Sequence, residues 1–376
     1  MERTRSSVSE FIRSAVACVG SATGCSSTGE GSILALSTQH SALWRLLAGE
    51  SHDGLDGVFT DHVHAFSTLV SEVATGIDGI SVQVCCRDGG GSDGDLLVAI
   101  QCEVDVMDKR LIFSLTELWL VIYPLCWLLV TSCCKKYQEC RQRYIVGVGG
   151  AAGSGKSSLC TVLGRLITTL TKHKLPQSSF SPLDISSVRC SVMGQDAYHL
   201  PNEELKERCL QQLKGSTSTY NVESFVADVT KLTSTEAGTL KMPAYSREVH
   251  EPLADQVEVW SAPCVVLVEG VHALCTDAPF TALQPFWDLK VYVDCAESVA
   301  KPRAILRKMR GCRERRTAEQ HYERVDAVNR AAVEKPVNMA NCDVRLSVRP
   351  TQDPDCSTSM AAEIINVPDL SAKVTG

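Results

Sequence analysis

Residues 150–157 read Gly150-Ala151-Ala152-Gly153-Ser154-Gly155-Lys156-Ser157, a complete G-x-x-x-x-G-K-S run, and its flanks constrain it further. Before it, the short apolar stretch Tyr144-Ile145-Val146-Gly147-Val148-Gly149 predicts a buried strand. After it, Leu159, Val162, Leu163, Leu166, Ile167 and Leu170 recur at helical spacing. A glycine-rich turn alone is a weak signal, but one that leaves a strand and opens a helix fits a phosphate-binding loop. Glycines at 150, 153 and 155 let the backbone bend its N–H groups around a polyphosphate, and the helix N-terminus adds partial positive charge. In that arrangement Lys156 reaches the β- and γ-phosphates, the Ser157 hydroxyl ligates Mg²⁺, and Ser158 lies beside it in the first helical turn.

The chain of 376 residues has room for one large domain with an appendage, or for two domains. Its net charge of −7 argues against general nucleic-acid binding, which needs a basic footprint. The 18 cysteines are scattered, and Cys85-Cys86 and Cys133-Cys134 lack the spaced doublets of a zinc site. A nucleotide-binding loop implies a reducing compartment, so they read as small core residues of a cytoplasmic protein, with organellar or membrane-associated placement left open. His62 and His64 can share a strand face but lack a third ligand.

Residues 1–32, rich in Ser, Gly and Thr, read as a flexible arm; Glu2 and Glu10 interrupt its resemblance to an organellar presequence. Residues 33–110 form a small α+β region: helices near 41–47 and 61–73, then a hairpin of 80–86 with 96–106 across a glycine-rich turn. It carries no chemical constellation and reads as a packing or homo-oligomerisation appendage. Residues 111–143 read as an apolar helix leading into the main domain. Within 111–134 only Glu117 is charged, and Lys135, Lys136, Arg141 and Arg143 follow, which resembles a membrane span. The charge-free part, Leu118–Cys134, is only 17 residues long and contains Pro124, which favours a helix buried in the fold.

From 144 to 348 strands and helices alternate, predicting a P-loop NTPase with a parallel sheet flanked by helices. A strand over 187–193 leads into Gln195-Asp196-Ala197-Tyr198-His199, so Asp196 falls beyond a strand's carboxyl end, where substrate and phosphate meet in such sheets. A carboxylate there can take a proton from an attacking hydroxyl or help hold Mg²⁺, or it can simply cap a turn. The strand 264–268 closes on Glu269-Gly270, the place of the acidic residue that meets Mg²⁺. Further strands are expected at 289–294 and 343–348. Between 301 and 316 eight basic residues face only Glu314, predicting either a mobile lid over the nucleotide or a solvated helix face. Residues 349–376 read as an irregular tail.

From Arg143 to Glu334 the chain resembles the phosphate-loop kinases that include uridine kinase, phosphoribulokinase and bacterial-type pantothenate kinase, most of all the uridine-kinase-like branch. The resemblance rests on the loop, the stretch 195–200, Thr219-Tyr220-Asn221-Val222-Glu223-Ser224-Phe225, residues 243–252, Val268-Glu269-Gly270 and the arginine-rich lid. It implies ATP-dependent phosphorylation of a small-molecule hydroxyl on a nucleoside, sugar or pantothenate-like alcohol. In that reading Asp196 is the base, Tyr198 and His199 line the substrate pocket, and Arg247 holds substrate or transferred phosphate. Glu269 supports Mg²⁺, and Arg307 and Arg310 belong to the lid. Asn221 stands where the group carries an acid, so acceptor choice does not transfer from its relatives. A regulatory nucleotide switch with no acceptor is the alternative, though no N-K-x-D guanine-reading motif is present.

Overall fold

A computed structural model describes residues 84–85, 97–104, 107–114, 117–172, 184–236, 238–310, 314–350 and 358–364. The arm, the two early helices, His62 and His64 lie outside the described residues. The chain divides into two compact units, Met1–Thr131 with Arg165–Ser186, and Ser132–Gly164 with Ser187–Gly376.

In the first unit, β1 (Val84–Cys85), β2 (Leu97–Val104) and β3 (Met107–Ser114) form an antiparallel sheet. The expected pairing of 80–86 with 96–106 is present where described, with Val84 opposite Val98. The third strand corrects the sequence reading: residues 111–114 finish β3, and helix begins only with the widened turn Leu118–Ile122. Ile122, Leu125, Cys126 and Leu129 are fully buried, as expected for a helix that belongs to the fold. Among the described residues no helix is long and apolar enough to cross a membrane. The helix continues as α1 (Tyr123–Cys140), whose last part lies in the second unit.

The second unit is built on β4 (Tyr144–Gly149), β5 (Arg189–Gly194), β8 (Cys264–Gly270), β9 (Leu289–Cys295), β10 (Val344–Pro350) and β11 (Thr358–Ile364). Their order is β11-β10-β9-β4-β8-β5, all neighbours parallel except β10 and β11. β11 corrects the expectation of an irregular tail after 349; its Thr-Ser-Met-Ala-Ala-Glu-Ile run carries too little apolar alternation to be read as a strand. Central strands β4 and β8 are buried almost throughout, as parallel strands covered on both faces must be.

The loop helix α2 (Lys156–Lys172) follows β4, and α3 (Asn202–Glu207) and α4 (Val222–Leu232) follow β5. A hairpin of β6 (Leu240–Ser246) and β7 (Glu251–Val259) comes next; Pro243 sits at a register shift between Met242 and Ala244, where a missing N–H costs the ladder nothing. After β9 come α5 (Glu297–Arg310), α6 (Arg315–His321), α7 (Ala327–Val333) and α8 (Pro336–Ala340). The core of this unit gathers Ile145, Met193, Phe225, Val266, Trp287 and Tyr292.

Candidate active site

The cradle is set by sterics as much as by conformation. Gly150, Gly153 and Gly155 all have positive φ, at 147°, 79° and 101°. A side chain at Gly150 would place Cβ 2.6 Å from the Val293 carbonyl oxygen, and one at Gly153 would overlap that of Ala300 on α5. Lys156 folds back, its Nζ donating to the Ala151 carbonyl at 3.0 Å. Burial lowers its pKa against the pull of Glu269. Ala151 and Ala152 are buried beneath the loop, and the buried Ser154 hydroxyl has no partner within the protein. A tight ring of backbone, one ammonium and an unanswered hydroxyl donor fits a polyphosphate such as that of ATP.

Next to the cradle, Ser157 Oγ donates to Glu269 Oε1 at 2.8 Å, although 112 positions separate them in sequence. A hydroxyl and a carboxylate oxygen side by side suit Mg²⁺, which takes few protein ligands and keeps waters and phosphate oxygens for the rest. Ser157 and Glu269 are the residues that would hold the ion.

Asp196 sits two residues beyond β5, in register with Glu269 because Gly194 lies opposite Glu269 on parallel β8. Arg247 Nη2 donates to its Oδ2 at 2.8 Å, and the Tyr220 hydroxyl donates to Oδ1 at 3.3 Å. Burial pushes the Asp196 pKa up, but Arg247, His199, Arg307 and Lys156 together hold it well below the usual carboxylate range. Since burial also lowers the His199 pKa, the two arginines and Lys156 carry that effect at neutral pH. Burial and Asp196 raise the Tyr220 pKa, so its phenol stays a donor.

His199 Nδ1 lies 2.8 Å from the Asp196 carbonyl, and its ring packs at 4.2 Å on Tyr220 and 5.3 Å on Tyr245. Arg247 and Lys214 both lie over the Tyr245 ring, at 5.2 and 5.3 Å from its centre. Tyr198 does not join this wall. Its ring is buried against Phe225 and its hydroxyl donates to Asp228 at 3.0 Å, so it braces α4. Asn221 caps α4, accepting from the Ser224 N–H at 3.0 Å, a task an aspartate performs equally well.

Of the basic stretch, Lys301 binds Glu323 at 2.5 Å, Lys308 binds Asp326 at 2.6 Å and Arg315 binds Glu319 at 2.8 Å. Acids from the helices that follow therefore answer cations that seemed opposed only by Glu314. Arg307 is the one whose charge acts on both Lys156 and Asp196, while Arg310 is exposed at the end of α5. Residues 311–313 lie outside the described residues.

Sequence reasoning missed a buried polar chain beside Asp196. Gln195 Oε1 accepts from the His272 N–H at 2.9 Å and its amide nitrogen meets His272 Nδ1 at 3.0 Å. His272 Nε2 faces Asn329 Oδ1 at 3.3 Å, and Asn329 Nδ2 donates to the Gly215 carbonyl at 2.8 Å. Two bonds to one Gln fix which way its amide points, and hence place the His272 proton on Nε2. Burial pushes the His272 pKa down to about 4. Gly270 leaves the space that Gln195 fills, which is why Glu269 is followed by glycine.

Comparison with known proteins identifies the family. A pantothenate kinase of Sodalis glossinidius is 27% identical over 164 residues, covering 42% of this chain and 46% of that protein. The chain spans about half the length of the pantothenate kinases it matches. A Schizosaccharomyces pombe protein with a provisional uridine kinase name is 24% identical over 212 residues, covering 55% and 83% of the two chains. The solved structure of a kinase provisionally assigned to fructose transport in Silicibacter sp. TM1040 aligns with TM-score 0.44 at 23% identity, over 55% of this chain and 93% of that one. The profile of the Phosphoribulokinase / Uridine kinase family matches residues 145–353, more than half of the sequence, and the chain belongs to that family.

Proposed function

We propose that this chain is an ATP-dependent kinase that phosphorylates a hydroxyl group of a small metabolite, with a nucleoside, a sugar or a pantothenate-like alcohol as acceptor. The observation that carries the reading is the placement, on adjacent strand ends, of Asp196 with Arg247 at 2.8 Å and of Ser157 with Glu269 at 2.8 Å. A kinase needs a proton acceptor and a metal-bound phosphate side by side, and a nucleotide switch has no use for the first.

In this reading the cradle and Lys156 hold the triphosphate, and Arg307 adds charge as the phosphoryl group transfers. Bound Mg²⁺ at Ser157 and Glu269 would neutralise charge on the phosphate oxygens. Asp196 orients the acceptor hydroxyl and takes its proton. Arg247 holds Asp196 in the ionised form, and its turn toward the transferred phosphate would restore the carboxylate's proton affinity. His199, Tyr220 and Tyr245 wall the acceptor pocket.

The test is ATP consumption by purified protein with Mg²⁺ against pooled nucleosides, sugars and pantothenate, with Lys156→Ala and Asp196→Asn controls. Stimulation by one pool, lost in both controls, is expected. Nucleotide binding without stimulation by any pool would overturn the kinase reading in favour of a switch.

A further inference from the structure

Helices α6 and α7 run on through a widened turn, Tyr322–Asp326, with helical backbone at both junctions. The rod they form grips the two sides of the candidate site with different faces.

His321, Val325 and Asn329, four residues apart, meet one stretch of backbone. His321 Nε2 lies 3.1 Å from the Lys214 carbonyl, and Asn329 donates to the Gly215 carbonyl at 2.8 Å. A Cβ on Gly215, whose φ is +105°, would lie 3.4 Å from Val325. That stretch continues through the Gly215 N–H bond to Thr219 Oγ1, at 3.0 Å, to Tyr220, whose hydroxyl reaches Asp196.

Tyr322 faces the other way, and Asp326 lies between the two faces, its Oδ2 3.9 Å from His321 Nδ1. Tyr322 packs with Ala152 of the cradle and Ala304 of α5, and its hydroxyl donates to Glu297 at 3.4 Å. Asp326, buried, accepts from Lys308 at 2.6 Å, the residue next to Arg307. A buried ion pair is a poor source of stability but a good fixer of register, and widened helical turns recur at functional sites.

We propose that this rod couples the two substrate sites. Asp326 and Tyr322 set the cradle and Arg307 on the nucleotide side, while His321 and Asn329 set the Lys214–Tyr220 loop on the acceptor side. All four are positioning residues, and the inference rests on the kinase reading only in requiring that the cradle bind nucleotide.

Hydrogen exchange on the full chain, with and without AMP-PNP and Mg²⁺, tests it. Nucleotide should slow exchange at amides 213–220 by roughly fivefold or more, the low end of measured couplings between sites. The double variant Lys308→Met/Asp326→Leu, which replaces the ion pair by apolar groups and also removes the contact of Asp326 with His321, should still bind AMP-PNP but lose that slowing. Should the double variant fail to fold, Asn329→Ala cuts the link at its other end and should lose the slowing too. No slowing in the native chain, or slowing that survives in the folded variant, overturns the coupling. Absence of AMP-PNP binding to the native chain overturns the kinase reading and this inference with it.

Discussion

The proposed nucleotide side and acceptor side of the site are built in opposite ways. The cradle is one run, residues 150–157, and its geometry is carried by positive-φ glycines and by the close approach of Val293 and Ala300. The proposed acceptor wall is assembled from His199 after β5, Lys214 and Tyr220 before α4, and Tyr245 and Arg247 on the hairpin. A contiguous cradle can be read from one run of sequence, and the backbone of Val293 and Ala300 packed on it leaves little room for change. A wall drawn from three segments can change one segment at a time, which is how one cradle serves kinases with different acceptors.

The largest expected effect separates the two sides by function. Asp196→Asn should lower turnover by roughly 10²–10⁴-fold, the span of general-base contributions, while AMP-PNP affinity stays within about threefold. Parallel loss of nucleotide binding would mean that Asp196 serves the cradle instead. Next, Gly153→Ala should cost about 3 kcal/mol or more through backbone overlap at a positive-φ position, read in denaturant titration and in lost AMP-PNP binding. Gly155→Ala, whose added Cβ meets nothing within 4 Å, isolates the strain alone and should cost roughly 1–2 kcal/mol.

The His272 network gives a pH signature. Its pKa of about 4 in the fold lies below the ordinary 6.5, so the unfolded chain binds the proton first as pH falls. The stabilisation is full above about pH 6.5 and is lost between there and pH 4, about 3 kcal/mol in all. Urea titrations of His272→Gln should lose that part of the slope; an unchanged slope would show that His272 is not held neutral.

Smaller effects probe the acceptor wall. Tyr220→Phe removes a bond to a charged group and should lower kcat/KM about tenfold, whereas Tyr198→Phe should act on stability alone. Asn221→Asp, which keeps the cap, should change stability by less than about 0.5 kcal/mol and leave acceptor preference unchanged; a change in acceptor preference would place Asn221 at the substrate.

What could be read from sequence follows the same division. The strand, loop and helix around residues 144–170 were legible because each obeys a local rule: unbroken apolar run, glycine spacing, helical periodicity. Asp196 and Glu269 were legible because parallel strands end at one edge. Tyr198 and Tyr220 both lie in stretches that carry the resemblance, and only packing decides which reaches Asp196 and which Asp228. The same holds for the basic stretch, whose acids at 323 and 326 lie beyond the window in which charges were weighed. β3 opens on the charged residues 108–110, which carry no strand alternation, and only its last four residues lie in the apolar run read as helix.

The sequence by itself therefore determined the phosphate cradle and the parallel sheet behind it, because glycine spacing and unbroken apolar runs are signals carried by neighbours in the chain. Only the tertiary structure decided the acceptor wall, the Gln195–His272–Asn329 chain and the split of the basic residues between ion pairs and site. Apart from Arg315–Glu319, one helical turn apart, those depend on groups brought together across 18 positions or more, where no local rule operates.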